Sequence, residues 1–180
     1  MGIAPQRRPI VVGLGIAIVA TLAVLAVAFV VRPARDTGTI ARDAPAPPIA
    51  GATLDGGELS LDDFRGRPVV INFWGPTCVP CRDEFPLLKA KLDEHAADDL
   101  AVIGILMADP PDLARTFVAE QGATWPTVVD PDGTIKAAYR VALRPQTYFV
   151  DRDGILRSIQ IGELREPDFE RQYALIAGGT

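Results

Sequence analysis

Val69-Val-Ile-Asn-Phe-Trp74-Gly-Pro-Thr-Cys78-Val-Pro-Cys81-Arg-Asp-Glu84-Phe-Pro86 is the stretch on which the reading of this chain turns. Val69 to Phe73 is apolar except for Asn72, as expected of a central strand buried on both faces. From Cys78 to about Ala96, Phe85, Leu88 and Leu92 recur at helical spacing and define one buried face. The two cysteines therefore sit where a strand gives way to a helix. They are the only two in 180 residues, so any sulfur chemistry belongs to this pair. Two thiols separated by two residues can close a small disulfide ring. The first sulfur then lies at the helix N-terminus, where unpaired amides and the helix dipole favour thiolate over thiol. A thiolate is the nucleophile of disulfide exchange, and a neighbouring second thiol resolves the mixed disulfide.

Working outward, Ile10 to Val31 carries no charge and no proline. At about 1.5 Å rise per residue such a run spans the ~30 Å hydrocarbon layer of a bilayer. Arg7 and Arg8 precede it and Arg32 and Arg35 follow it. We read it as a retained transmembrane anchor after a short cytoplasmic N-terminus, residues 1–9. A cleaved secretory signal with an Ala26-Val-Ala28 site is the alternative, but the run is longer than a usual signal core and continues past that site. Either reading places the C-terminal domain outside the cytoplasm, where disulfides persist. Residues 32–50 are rich in proline and alanine and are expected to form a semi-rigid extended linker. Residues 51–180 suffice for one domain with one core. Lys and Arg number 18 against 23 Asp and Glu, a net charge of −5. No basic stripe exists, so nucleic acid is not an expected partner.

Within the domain, Asp55-Gly-Gly57 marks a short hairpin, and Ser60 to Phe64 a helical turn ended by Gly66. Leu100 to Met107 is a second buried strand. Asp109-Pro-Pro starts a helix and Gly122 ends it. Thr127 to Asp130 is a strand, and Thr134 to Tyr139 a short helix. Gln146 to Asp151 and Ile155 to Ile161 are strands joined by a turn, and a last helix runs from Pro167 to about Ala177. The order β-α-β-α-β-α-β-β-α predicts an α/β fold with a mixed sheet, helices on both faces and a final antiparallel hairpin.

At this level the chain resembles the membrane-anchored thioredoxin-like oxidoreductases of the TlpA/ResA type, including the cytochrome c-biogenesis thioredoxins. The similarity runs from about Ala44 to Ala177. It is carried by Leu61-Asp-Asp-Phe-Arg-Gly-Arg-Pro-Val-Val-Ile-Asn-Phe-Trp74, by Cys78-Val-Pro-Cys81-Arg-Asp-Glu-Phe-Pro86, and by Arg144-Pro-Gln-Thr-Tyr-Phe-Val-Asp-Arg-Asp-Gly154. The resemblance implies a thioredoxin fold with an N-terminal β extension and a dithiol/disulfide cycle without a cofactor. It also implies protein substrates that carry disulfides, and re-reduction by a transmembrane thiol donor. Three positions depart from the usual pattern: Thr77 stands where a Trp is common, Gly75-Pro76 replaces Ala-Thr or Ala-Ser, and Arg144 stands where a smaller or apolar residue is common.

Cys78 is the expected nucleophile and Cys81 the shielded resolving thiol. A structural role is the alternative, but so short a loop constrains little unfolded-chain entropy. A zinc site would need four ligands, and only His95 is available besides the pair. His95 is expected on a solvated helix face. Asn72 stands where thioredoxins carry a buried Asp and cannot titrate. Glu84, three residues after Cys81 on one helix, is placed to relay a proton to it. By resemblance, Pro145 is a cis-proline facing the cysteines, whose neighbouring backbone pairs with an extended substrate. Arg144 beside it is a candidate for substrate preference or for lowering the Cys78 pKa, with a solvated charge as the alternative. Trp74 is read as packing beside the active-site loop and helping to shape the substrate surface, with core packing alone as the alternative. Pro80, in the first helical turn, lacks only an amide that would be unpaired. Trp125-Pro126 is read as packing.

The function this implies is an extracytoplasmic, membrane-tethered thiol-disulfide oxidoreductase, a reductant of particular proteins rather than a general oxidant, because no histidine lies between the cysteines. A peroxidase of the peroxiredoxin type is one competitor, although it requires Thr or Ser three residues before the reactive cysteine, where this chain has Gly75. A non-enzymatic metal- or haem-protein chaperone on the same fold is the other.

Overall fold

A computed structural model describes residues 40–178. The expected cytoplasmic segment 1–9, the anchor Ile10–Val31 and residues 32–39 of the linker lie outside the described residues. Among the described residues no helix is long and apolar enough to cross a membrane.

The sheet is built around β4 (Val69–Trp74), every residue of which is buried. It pairs in parallel with β5 (Ala101–Leu106), which pairs in parallel with β6 (Thr127–Val129). On its other side β4 runs antiparallel to β7 (Gln146–Val150), followed by β8 (Ile155–Ile161) and the edge strand β1 (Ala44–Pro45). The six-stranded order is β1-β8-β7-β4-β5-β6. A hairpin of β2 (Ala50–Ala52) and β3 (Glu58–Ser60) covers the β6 edge through a bridge from Thr53 to Val128. Both edges are thus closed by residues that precede the central strand.

Side chains on a strand alternate between faces, and β4 sorts the core accordingly. Val70 and Trp74 enter one cluster with Phe85 and Leu88 of α1 (Val79–Glu94), Phe117 of α2 (Pro111–Gln121), and Phe169, Tyr173 and Ile176 of α4 (Glu166–Ala177). Val69, Ile71 and Phe73 enter the other, with Leu59 of the hairpin and Ile135 of α3 (Thr134–Ala138). Asn72 falls on the α1 face and is fully buried. The expected element order and the mixed sheet are the ones found, with ends shifted by a residue or two.

One boundary moves. The stretch read as linker up to Ala50 joins the fold from about Asp43. Asp43 N–H donates to the Leu156 carbonyl at 2.8 Å and Ala46 N–H to that of Gly154 at 2.9 Å. The Tyr139 hydroxyl donates to the Pro47 carbonyl at 2.7 Å, and Ile49 is 1% exposed. Proline-rich composition suggested a solvated tether, but an edge strand tolerates proline because half its amides point away from the ladder. Ile49→Ala should therefore cost about 2–5 kcal/mol in a denaturant titration, as for other buried aliphatic truncations. A midpoint unchanged from the parent would make this segment a tether after all.

Candidate active site

The pair of sulfurs is held by the end of β4. After Trp74, Gly75 and Pro76 are buried, the Cys78 N–H donates to the Gly75 carbonyl at 3.1 Å, and α1 begins at Val79. Cys78 is the N-cap of α1, with its Sγ accepting from Cys81 N–H at 3.3 Å. A sulfur so placed takes up one of the amides a helix start leaves unpaired. Pro80 fills the first turn as expected. Cys78 and Cys81 are joined in a disulfide, their Cα atoms 5.2 Å apart. The two sulfurs differ in access: Cys78 is half-buried and Cys81 is 0% exposed. An incoming nucleophile or disulfide meets Cys78 first.

Three residues after Cys81 on the same helix lies Glu84, 1% exposed. Its Oε1 accepts from Asn72 Nδ2 at 2.7 Å and its Oε2 from Leu164 N–H at 2.9 Å. Asn72 Nδ2 donates also to Thr147 Oγ1 at 3.0 Å, so β4, β7 and the segment before α4 all meet this carboxyl. Burial raises the Glu84 pKa to about 7; the two donors pull it down without offsetting that, and the Glu163 charge adds to the rise. A carboxyl poised near neutrality one helical turn from a buried sulfur can take and return a proton at physiological pH.

The Arg144–Pro145 peptide is cis, as the resemblance implied, and the Arg144 carbonyl oxygen lies 3.7 Å from Cys78 Sγ. The Pro145 carbonyl accepts from Gly162 N–H at 2.9 Å, which fixes this loop to the residue after β8.

The fold decides between the two readings of Trp74 and places Arg144 and His95 elsewhere than expected. Trp74 is 0% exposed and packs edge-on against Phe85, centroids 4.6 Å apart, so it supports the site from within and offers no surface to a substrate. Arg144 is not a free cation facing substrate: its guanidinium pairs with Asp109, Nη1 to Oδ2 at 3.1 Å. His95 is no solvated residue either; it caps α1 and lies against Tyr173, ring centroids 3.9 Å apart. Glu94, His95 and Glu170 lie close together, but the Lys91 ammonium already supplies the cation there, contacting Glu94 at 2.7 Å, Glu166 at 3.2 Å and Glu170 at 2.5 Å. Trp125 packs against Phe85 as read.

The sequence reading missed Asp109, which it took only as a helix start. The N-cap of α2 is Pro110, and the Asp109 carboxylate turns back to Thr77. The only signal was indirect, in the unusual residues at positions 75, 77 and 144.

An α/β domain with a CxxC disulfide at a helix N-cap, beside a cis-proline loop, defines the thioredoxin-fold class of dithiol/disulfide proteins. Within it the chain belongs to the AhpC/TSA family, whose model matches residues 42–159. It is 34% identical over 133 residues to the thioredoxin-like protein YneN of Bacillus subtilis, covering 72% of this chain and 77% of that one. It is 29% identical to the thiol-disulfide oxidoreductase ResA of Geobacillus kaustophilus, covering 76% and 79%. Among solved structures it is similar to a secreted thiol-disulfide isomerase of Corynebacterium glutamicum, with TM-score 0.67, 28% identity and coverage of 74% and 86%. A structure from Chlorobium tepidum assigned as a thiol:disulfide interchange protein DsbE gives TM-score 0.72 at 26% identity, covering 78% and 100%. The chain is a thiol-disulfide oxidoreductase of the TlpA/ResA type.

The Glu84 pKa carries a stability consequence of definite sign. Its folded value lies above the unfolded one, so the native state holds a proton that the unfolded chain has released between about pH 4.5 and 7. This contribution is complete below pH 4.5 and is lost as pH rises through 7, a change of about 3 kcal/mol. Glu84→Gln, which cannot ionise, should lose that slope. Urea unfolding of the disulfide form across this window should show the parent weakening relative to the variant; parallel curves would mean an ordinary Glu84.

Proposed function

We propose that this protein reduces disulfides in particular extracytoplasmic proteins, as a domain tethered by Ile10–Val31. The single observation that carries the reading is the asymmetry of the pair: an accessible sulfur at a helix N-cap, bonded to a fully buried one above a carboxyl with a pKa of about 7.

In this reading the Cys78 thiolate attacks one sulfur of a substrate disulfide. A mixed disulfide forms and the other substrate sulfur leaves as thiolate to take a proton. The Cys81 thiol gives its proton to the Glu84 carboxylate, and the resulting thiolate attacks the Cys78 sulfur. The second substrate thiolate is released and the Cys78–Cys81 disulfide closes. Glu84, near neutral pKa, then returns its proton to solvent. Two electrons have passed to the substrate, and a transmembrane thiol donor must restore the dithiol. The backbone beside Pro145 offers pairing to an extended substrate segment. Exposed Val79 and Leu143, 67% and 70% accessible, give the surface near Cys78 apolar contacts. Proteins of cytochrome c maturation are the favoured substrate class, following the resemblance. Against a peroxidase stands the crowding at Gly75, where even a Cβ would overlap the Arg144 guanidinium and the Asp109 carboxylate. A Thr or Ser there, as such an enzyme needs, would have to displace the Arg144–Asp109 pair.

The test is trapping in cells that express the full chain. Cys81→Ser should accumulate mixed disulfides through Cys78, and Cys78→Ala should accumulate none and lose insulin reduction. Glu84→Gln should slow reduction at neutral pH and flatten the rate profile near pH 7. Insulin reduction retained by Cys78→Ala would reject the mechanism.

A further inference from the structure

Three loops meet over Cys78, and Asp109 ties them together. Its side chain is 8% exposed. Oδ2 accepts from the Thr77 N–H at 3.2 Å, and the Thr77 hydroxyl donates to Oδ1 at 2.9 Å. Arg144 Nη1 lies 3.1 Å from Oδ2 and Nη2 3.3 Å from Oδ1. The same guanidinium donates to Thr77 Oγ1 at 3.0 Å and to the Met107 carbonyl. Gly75 makes this possible, because a side chain there would displace both charged groups. Gly75, Thr77 and Arg144, which are among the positions that depart from the pattern the resemblance implies, are therefore one unit, and Asp109 closes it.

The unit lies beside the reacting sulfur. Thr77 is the residue before Cys78, and the Arg144 carbonyl lies 3.7 Å from Sγ. An unpaired guanidinium here would stabilise a thiolate, as would the N-terminus of α1; a carboxylate would do the reverse. Asp109 stays ionised: burial alone would push its pKa up, but the Thr77 donors and Arg144 outweigh it and hold it low. Of the other charged groups near the pair, Glu84 lies beneath Cys81, Asp83 is exposed on α1, and the Arg82 guanidinium lies over the Phe117 ring at 5.2 Å.

We propose that Asp109 is a positioning residue that holds the Arg144 cation away from Cys78. It keeps the Cys78 thiolate less stable, and the pair more reducing, than the helix end and Arg144 alone would make it. The inference rests on Cys78 being the reacting sulfur. It explains how a chain with a cation next to its cis-proline can still act as a reductant.

Opposite-sign charge deletions on the full chain test it. Asp109→Asn keeps an acceptor for Thr77 and removes the negative charge. The first thiol to ionise, followed by ultraviolet thiolate absorbance, should gain about tenfold in thiolate fraction at pH below its midpoint. Equilibrium with glutathione should shift toward reduced protein by a similar factor, about 30 mV. Arg144→Gln leaves the carboxylate unbalanced and should shift both readouts the other way. Asp109→Asn/Arg144→Gln should return within about threefold of the parent. If Asp109→Asn fails to fold, the sign of the Arg144→Gln shift decides. No shift in Arg144→Gln, or a shift of the same sign as in Asp109→Asn, overturns the inference. Insulin reduction retained by Cys78→Ala would instead reject the proposed function, whatever the charge variants show.

Discussion

Two sulfurs that must open and close a bond need a scaffold that keeps one in reach of solvent and the other out of it. Here that constraint is met by placing them on the first turn of α1, at the end of the most buried strand. Cys78, as N-cap, takes the amide of Cys81, while Cys81 faces the core with Phe85 and Leu88. Much of the fold serves to fix that turn. The strands on either side of β4 hold its end, and Trp74 wedges under the loop against Phe85 and Phe117, with no exposed surface of its own.

A carboxyl buried below the pair would be a liability without donors, since an ionised group in the core lacks the water that would stabilise it. Asn72 and the Leu164 amide supply two, which is enough to let the anion form but not to restore its ordinary acidity. An Asp at position 72 would have placed a second charge against Glu84. With Asn there, the one ionisable carboxyl of this network stands on the cysteine helix itself and the strand supplies a donor to it.

Most of the architecture was legible in the sequence because local pattern and global fold agree. The apolar run Val69–Phe73, broken only by Asn72, the helical spacing of Phe85 and Leu88, and the turn residues Asp55-Gly-Gly57 and Asp151-Arg-Asp-Gly154 each specify one structure. Cysteine spacing located the pair, and helical periodicity put Glu84 under it. The features that stayed hidden depend on contacts far apart in the chain. Asp109 reads as a helix start until the fold brings it against Thr77 and Arg144. Ala44–Ile49 has the composition of a tether, and only the unpaired edge of β8 makes Ala44–Pro45 a strand. Trp74 reads equally well as surface or core; which face of β4 it shares with Phe85 is settled by packing.

The central claim is that the two thiols are unequal, one presented and one withheld. Alkylating the reduced parent protein with substoichiometric iodoacetamide and locating the label by mass spectrometry addresses it directly. The label should fall almost wholly on Cys78, with Cys81 modified only after unfolding. Equal labelling of both sulfurs in the folded state would contradict the account.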